Sequence, residues 1–433
     1  MRRLLATLLI VVAGSAAQQA PPPPVEEVFR AFDRIAAQPL WPGFEPRSVA
    51  VEVFDGVNTY LFHHPKPSEG FHAVPGAPGV FVYPGQHETV RANTGTEVNG
   101  VPTATADISK GRRTVAEIAS LLIHESFHVF QGQAHPKWAA NEADLFLYPL
   151  DDWELLSWRR IETLELLRAL RTRREAEARC WAGAALATRK ERFARMPAGA
   201  AAYERGTELH EGLAQYVEYQ SIHKPEALTA EDFPAGIIRQ RGYATGQAFA
   251  LLLDRFGGDW KSQRGDGPLD ELLRSRVTSA KRCALPEAET SAQVERAKRE
   301  VEQLVAGRRQ RRQEFLDAPG WRIEIIAGKE SLWPQGFDPW NVTNLGDNLV
   351  LHTRWVKLGN ASGTIEVLDH ASLTEGAGPH PLFNGARKLT VTGLAEPKVT
   401  EAGGRVTLDV PGAKGTLTGT LERDAQTFRI RLP

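Results

Sequence analysis

Between residues 48 and 108 the chain reads as short apolar runs broken by Gly and Pro: SVAVEVF, TYLFHH, GVFVYPG and TATADI. Runs of this length between such breaks predict β-strands. The period then changes. Val115, Ile118, Ala119, Leu122, Phe127 and Phe130 recur at helical spacing, behind a T-x-x-E capping box made by Thr114 and Glu117. Together they predict a helix of about 18 residues. Asp151 and Asp152 precede WELLSWRRIETLELLRALRTRREAEARCW, which reads as a second long helix, and helical segments continue to about residue 255.

The charged segment AQVERAKREVEQLVAGRRQRRQEF predicts one more amphipathic helix. Its RRQRR cluster at 308–312 reads as a solvated face, because no aromatic residues interleave it as a nucleic-acid surface would require. From Trp321 onward WRIEIIAG, NLVLHTRWVKL, GTIEVL, RKLTVTGL, RVTLDV, GTLTGTL and FRIRL are separated by Gly, Asn and Pro turns. They predict a separate all-β domain, a sandwich or small barrel. The expected fold class is α+β: a β-rich segment at 37–108, a mainly helical region at 109–318 and a β domain at 319–433. LWPGFEP from Leu40 and LWPQGFDP from Leu332 echo each other. Two copies are too few for a repeat array, and a turn with packed aromatics is the simpler reading.

The amino terminus, MRRLLATLLIVVAGSAA, carries two arginines, an apolar run from Leu4 to Ala13, and Ser15 and Ala17 at positions suited to cleavage. Residues 1–17 therefore read as a secretory signal peptide, and the expected location is secreted or periplasmic. The run is too short for a comfortable membrane span, so no integral membrane segment is expected in the mature chain. Residues 18–36, with Pro21 to Pro24, read as a stiff spacer and lead-in.

Composition narrows the choice of partner. In 433 residues, 42% hydrophobic and 24% charged is the balance of a soluble globular protein with room for two or three domains. The formal net charge of −1 gives no global field toward nucleic acid, and none is expected as a partner. Cys180 and Cys283 are the two cysteines. An oxidising compartment would allow them to pair, and the sequence leaves the pairing open.

The stretch LLIHESFHVFQ, residues 121–131, carries the chemistry. Residues four apart share a helix face, so His124 and His128 can reach one ion while Glu125 leans into the same cleft. A catalytic zinc needs a third protein ligand and an open position. ELHEGLAQYVEY, residues 208–219, offers Glu208, Glu211, Gln215 and Glu218 on one stripe, while His210 points about 100° from Glu211. Gly212, costly inside a helix, suggests a close approach of another group.

HESFH, then HEGLAQYVEY, then YATGQAFALLLDRFGG from Tyr243 resemble the glutamate-zincin (gluzincin) metallopeptidases, in particular the branch that includes the M1 aminopeptidases. The three motifs cover about forty residues. The resemblance implies a zincin-like helical region and one zinc per chain, held by His124, His128 and Glu211. It implies Glu125 as general base and Tyr243, ahead of Gly246, as the residue that stabilises the tetrahedral intermediate. Two departures stand out. The gap between His128 and Glu211 is far longer than is usual in that branch, so a helical insertion must fold out and return. No G-x-M-E-N segment, the element that binds a free amino terminus, is present.

The expected activity is zinc-dependent hydrolysis of a peptide or protein substrate. Rival readings are a zinc amidase acting on a non-protein amide such as a cell-wall peptide, and a non-catalytic metal-stabilised binding protein. Residues 92–108, ANTGTEVNGVPTATADI, could supply an edge strand for substrate or an ordinary polar hairpin.

Overall fold

The computed structural model describes residues 23–109, 113–262, 265–277 and 283–433. The expected signal peptide lies outside the described residues, as do residues 18–22 of the spacer. The helices are α1 (Val25–Ala36), α2 (Val115–Ala134), α3 (Trp153–Arg171), α4 (Glu175–Arg195), α5 (Ala198–Thr207), α6 (Leu213–Ile222), α7 (Ile238–Phe256), α8 (Leu269–Arg276) and α9 (Glu287–Leu316). With the sheets at both ends of the chain, the fold is α+β. Among the described residues no helix is long and apolar enough to cross a membrane.

The chain divides into two compact units. The first joins residues up to 139 with 205–229 and 239–276, and the second joins 140–204, 230–238 and 277–433. The helical stretch at 109–318 contributes to both: residues 140–204 leave the first unit, and the chain returns to it at Arg205.

In the first unit, residues 25–36, expected as part of a spacer and lead-in, form a helix. Val25, Val28, Phe29, Phe32 and Ile35 recur at helical spacing and are buried, which gives α1 a face to pack. Next come β1 (Ala50–Phe54), β2 (Asn58–Phe62), β3 (His72–Ala73), β4 (Val80–Pro84), β5 (Thr94–Val98) and β6 (Val101–Asp107), in sheet order β3-β4-β2-β1-β6-β5. β1 and β6 run parallel, and β5 forms an edge antiparallel to β6. Gly95 brings β5 close to α2, where a Cβ would sit 3.3 Å from Val129 Cγ2.

α2 starts where its capping box predicts. Thr114 Oγ1 accepts from the Glu117 amide at 3.3 Å, and Glu117 Oε2 accepts from the Thr114 amide at 2.8 Å. It ends at Ala134, with His135 as its non-helical cap ahead of Pro136, which disfavours helix in the residue before it. Ile118, Leu122, Ile123 and Phe127 are buried, and the LWPGFEP turn docks Trp41 and Phe44 on Phe127 with ring centroids 5.5 and 5.2 Å away. The second copy of that motif is different. Its Trp333 belongs to the strand Trp333–Phe337 and is 47% exposed, so the echo is one of composition rather than structure.

In the second unit the long helix expected after Asp152 is two. Asp152 caps it, accepting from the Leu155 amide at 3.0 Å, but Thr172 and Arg174 are extended and α4 folds back on α3. The reason is tertiary: fully buried Glu162 of α3 pairs with Arg189 and Arg192 of α4 at 2.9 and 2.8 Å. Only a hairpin brings those positions together. Cys180 of α4 is disulfide-bonded to Cys283. The C-terminal strands form a seven-stranded and a six-stranded sheet, with Ile323, Ile325 and Val391 of one in the same core as Val356, Leu358 and Val367 of the other. That is a sandwich. Arg309, Arg311 and Arg312 of the RRQRR cluster are exposed, and Arg308 pairs with Asp151.

The crossing that matters for the site lies in the first unit. Between α5 and α6 the helix makes one π turn, Glu208–Gly212, and α7 passes against it. A Cβ on Gly212 would fall 2.5 Å from Gly246 Cα, and one on Gly246 would fall 2.5 Å from the Glu208 carbonyl oxygen. Both obstacles are backbone, so neither can swing aside. Gly246→Ala is expected to lower stability by about 1–3 kcal/mol in thermal melts. Gly132→Ala, where nothing lies within 4 Å, should be neutral or raise it by up to about 1 kcal/mol. Equal melting temperatures for the two variants would contradict this contact.

Candidate metal centre

His124, Glu125 and His128 lie on consecutive turns of α2, and all three face a cavity of about 300 Å³. The π turn places Glu211 opposite them, and α7 contributes Arg239 and Tyr243, one turn apart. Residues 93–95, at the start of edge strand β5, complete the wall. His124, Glu125 and Glu211 are buried, so their charges and lone pairs act with little solvent screening.

The hydrogen bonds fix which imidazole nitrogen faces the cavity. Gln131 Nε2 donates to the carbonyl oxygens of Leu209 and His210, both at 3.0 Å, which uses its two protons and leaves Oε1 as acceptor. His128 Nδ1, 2.8 Å from that Oε1, must then donate, and its Nε2 carries the lone pair. On the other ring, His124 Nδ1 faces Glu218 Oε2 at 3.3 Å, an ion-pair contact rather than a well-aligned hydrogen bond. Lys224 holds the second oxygen of Glu218. Both rings thus turn Nε2 inward, 3.1 Å apart.

Glu211 Oε2 completes a triangle, 3.2 Å from His128 Nε2 and 3.8 Å from His124 Nε2, and has no hydrogen-bond partner among the described residues. The circumradius of a triangle with sides 3.1, 3.2 and 3.8 Å is about 2.0 Å, so an atom equidistant from its corners can approach each to the length of a coordination bond. His124, His128 and Glu211 therefore form a group that can hold a metal ion. The other Glu211 oxygen, Oε1, takes Arg239 Nη2 at 2.6 Å and lies 3.4 Å from His210 Nδ1. The His210 ring stacks on His128 with centroids 4.3 Å apart.

The protonation balance is that of a site made for a cation. Burial alone would lower His124, but the carboxylates of Glu211 and Glu218 outweigh it and push the imidazole up to about 10. Burial takes His128 down to about 4. Burial would raise Glu211, yet His124, His128 and His210 hold it far below the usual carboxylate range. A cation held by His124, His128 and Glu211 would displace the proton that the Glu211 and Glu218 carboxylates favour on His124. Burial pushes the Glu125 carboxyl up to about 7, with Glu211 and Glu218 adding to the rise and His124 opposing it. Burial and the neighbouring Glu211 raise Tyr243 well above the usual phenol range, so it stays a proton donor.

No protein-family model, curated protein or solved structure matches this chain.

Of the four acidic or amide candidates in the second motif, the structure brings Glu211 to the histidine pair and sets Glu218 behind His124. Glu208 turns instead to α7, accepting from Thr245 Oγ1 at 2.7 Å. Tyr243 faces the cavity with its ring 5.9 Å from that of His124. Gly246 is the contact that seats α7, not a cavity residue. Sequence reasoning missed Gln131 and Arg239. Their spacings, three residues from His128 and four from Tyr243, were the available signals.

Metal content by elemental mass spectrometry after matched dialysis tests the assignment. Glu211→Ala should lose the ion, and Glu208→Ala should keep it. Gln131→Ala and Glu218→Gln, which free the imidazoles to turn, should weaken affinity roughly 10–100-fold in chelator competition.

Proposed function

We propose that this protein is a zinc metallopeptidase of the glutamate-zincin type, with one zinc per chain, that hydrolyses peptide bonds with an activated water. The observation that carries the reading is the convergence of two imidazole lone pairs and one unpartnered carboxylate oxygen beside Glu125. The spacing of these three atoms fits the ligand set of a zinc ion, which His124, His128 and Glu211 would hold. A bound zinc ion would supply Lewis acidity to the scissile carbonyl and acidify water.

The protein's own groups supply the rest. Glu125 accepts the water proton and delivers it to the leaving amine, a role suited to a carboxyl whose pKa lies near neutrality. Tyr243 donates a hydrogen bond to the oxygen on which charge develops. Gln131 and Glu218 hold the imidazoles, and Arg239 holds Glu211 so that Oε2 faces inward. Edge strand β5 starts at the cavity wall, which favours an extended substrate added along its free side. A secreted or periplasmic location is consistent with the Cys180–Cys283 disulfide.

A second reading keeps the chemistry and changes the substrate. The cavity wall is polar, which also suits a non-protein amide such as a cell-wall peptide. Hydrolysis of denatured casein against purified peptidoglycan separates the two. Under either reading Glu125→Gln should retain the metal and lower turnover about 10²–10⁴-fold. Tyr243→Phe should lower kcat about 10²–10³-fold with little change in metal content. Hydrolysis that persists in Glu125→Gln would remove Glu125 as the base.

A further inference from the structure

The RRQRR cluster of α9 is only in part the solvated face that its sequence suggests. Leu304, Gly307, Arg308 and Arg311 recur at three- and four-residue spacing, so they share one side of the helix, and that side forms a wall of a cavity of about 380 Å³. The other walls come from Leu145, Phe146 and Leu150, around the turn Glu142–Leu147, and from the start of the strand Val342–Gly346. All of these residues belong to the second unit. Asn344 ties two of the walls together: its Nδ2 donates to the Phe146 carbonyl oxygen and its Oδ1 accepts from the Gly346 amide, both at 2.9 Å.

Two features mark this hollow as a place for a ligand. The first is a glycine. Gly307 lies inside α9, where Gly is a poor helix former, and no other element comes within 4 Å of where its Cβ would be. Gly212 and Gly246 make room for backbone, whereas the room left by Gly307 belongs to the cavity. Gly236, also on the wall, leaves open space in the same way.

The second is charge. The Arg308 side chain, 11% exposed, pairs with Asp151 at 3.4 Å. Arg311 is exposed and has no ion pair or hydrogen bond among the described residues. Burial lowers the Arg308 guanidinium from its ordinary value against the pull of Asp151, and Arg311 adds to the lowering, as a like charge must. No Asp or Glu lines the cavity, so two guanidinium groups meet one nearby carboxylate and a positive charge is left over.

Leu145, Phe146, Leu150, Leu304 and Val342 give the cavity the make-up usual for a small-molecule site, mostly apolar with a few polar groups that orient the ligand. A bare inorganic anion would leave those side chains unused, and an uncharged apolar molecule would leave Arg311 unmet. A guanidinium offers a planar fork of donors to the oxygens of a carboxylate or a sulfate. We infer that this cavity binds a small anionic amphiphile in solution, whose negative head meets Arg311 at the rim and whose short aliphatic body lies against the apolar walls. The site is built by the second unit and does not depend on the metal centre or on its activity.

Titration calorimetry of the full chain tests this with octanoate, acetate as the head alone and octan-1-ol as the body alone. Octanoate should bind with a dissociation constant below about 1 mM and at least about tenfold tighter than either fragment. Octyl sulfate separates the two heads: binding at least as tight makes the site one for single anions in general, and weaker binding makes it one for carboxylates. Arg311→Gln should weaken octanoate about tenfold and leave octan-1-ol unchanged. Gly307→Leu puts a side chain into the cavity and should abolish octanoate binding without lowering the melting temperature, since Leu forms helix better than Gly. Glu211→Ala should bind octanoate as the unaltered protein does, which separates this site from the metal centre. No octanoate binding in this range, an affinity matched by acetate or octan-1-ol, binding unchanged in Arg311→Gln or surviving in Gly307→Leu, or binding lost in Glu211→Ala would overturn the inference. Should Gly307→Leu fail to fold, Arg311→Gln, at an exposed side chain, decides in its place.

Discussion

The contact on which the first unit's chemistry depends is backbone against backbone, Gly212 on Gly246. Because neither residue has a side chain, α7 seats directly against the π turn, where a Cβ would overlap Gly246 Cα or the Glu208 carbonyl. This seating sets two distances at once. It holds the π turn so that Glu211 faces α2, and it brings Arg239 and Tyr243 within reach of the same carboxylate. A wider crossing would separate the ligand from the residues that polarise it.

Electrostatics then finishes what packing begins. Two inward lone pairs 3.1 Å apart and a carboxylate oxygen with no donor repel one another in a buried site unless a proton or a cation lies among them. The surrounding groups keep that tension in place. Gln131 denies His128 the other tautomer because both of its amide protons are spent on the carbonyls of Leu209 and His210. Glu218, anchored by Lys224, draws the proton of His124 to Nδ1. The donors are oriented before any ligand arrives, which lowers the free energy of ordering them on binding.

The second unit uses buried charge for a different end. Arg192 lies between Glu162 and Glu204, fully buried, with Tyr148 bonded to Glu204. Buried pairs of this kind contribute little net stability, but an unpaired member would be costly. Their effect here is on register: the α3–α4 hairpin can close only where each carboxylate meets its arginine. The disulfide at Cys180 ties the same hairpin to residue 283, within the same unit.

Local patterns were enough to read some of this from the sequence. The capping box fixed the start of α2, and the four-residue spacing of His124 and His128 required that they share a face, because both follow from the geometry of one helix. Alternating runs marked the two β regions, and a glycine inside a helical pattern correctly announced a close neighbour at Gly212. The sequence alone could not show that WELLSWRRIETLELLRALRTRREAEARCW folds into two helices, since Thr172 and Arg174 carry no strong break signal and the partners of Glu162 lie about thirty residues away. Helical periodicity could not choose among Glu208, Glu211 and Glu218, which share one stripe, although the motif resemblance singled out Glu211. Tertiary structure settles where each one goes, through a π turn and a glycine crossing that send Glu208 to Thr245, Glu211 to the histidine pair and Glu218 behind His124. Helical periodicity gives the direction of a side chain around its own axis, whereas a metal site is defined by distances between separate elements, and only their packing sets those distances.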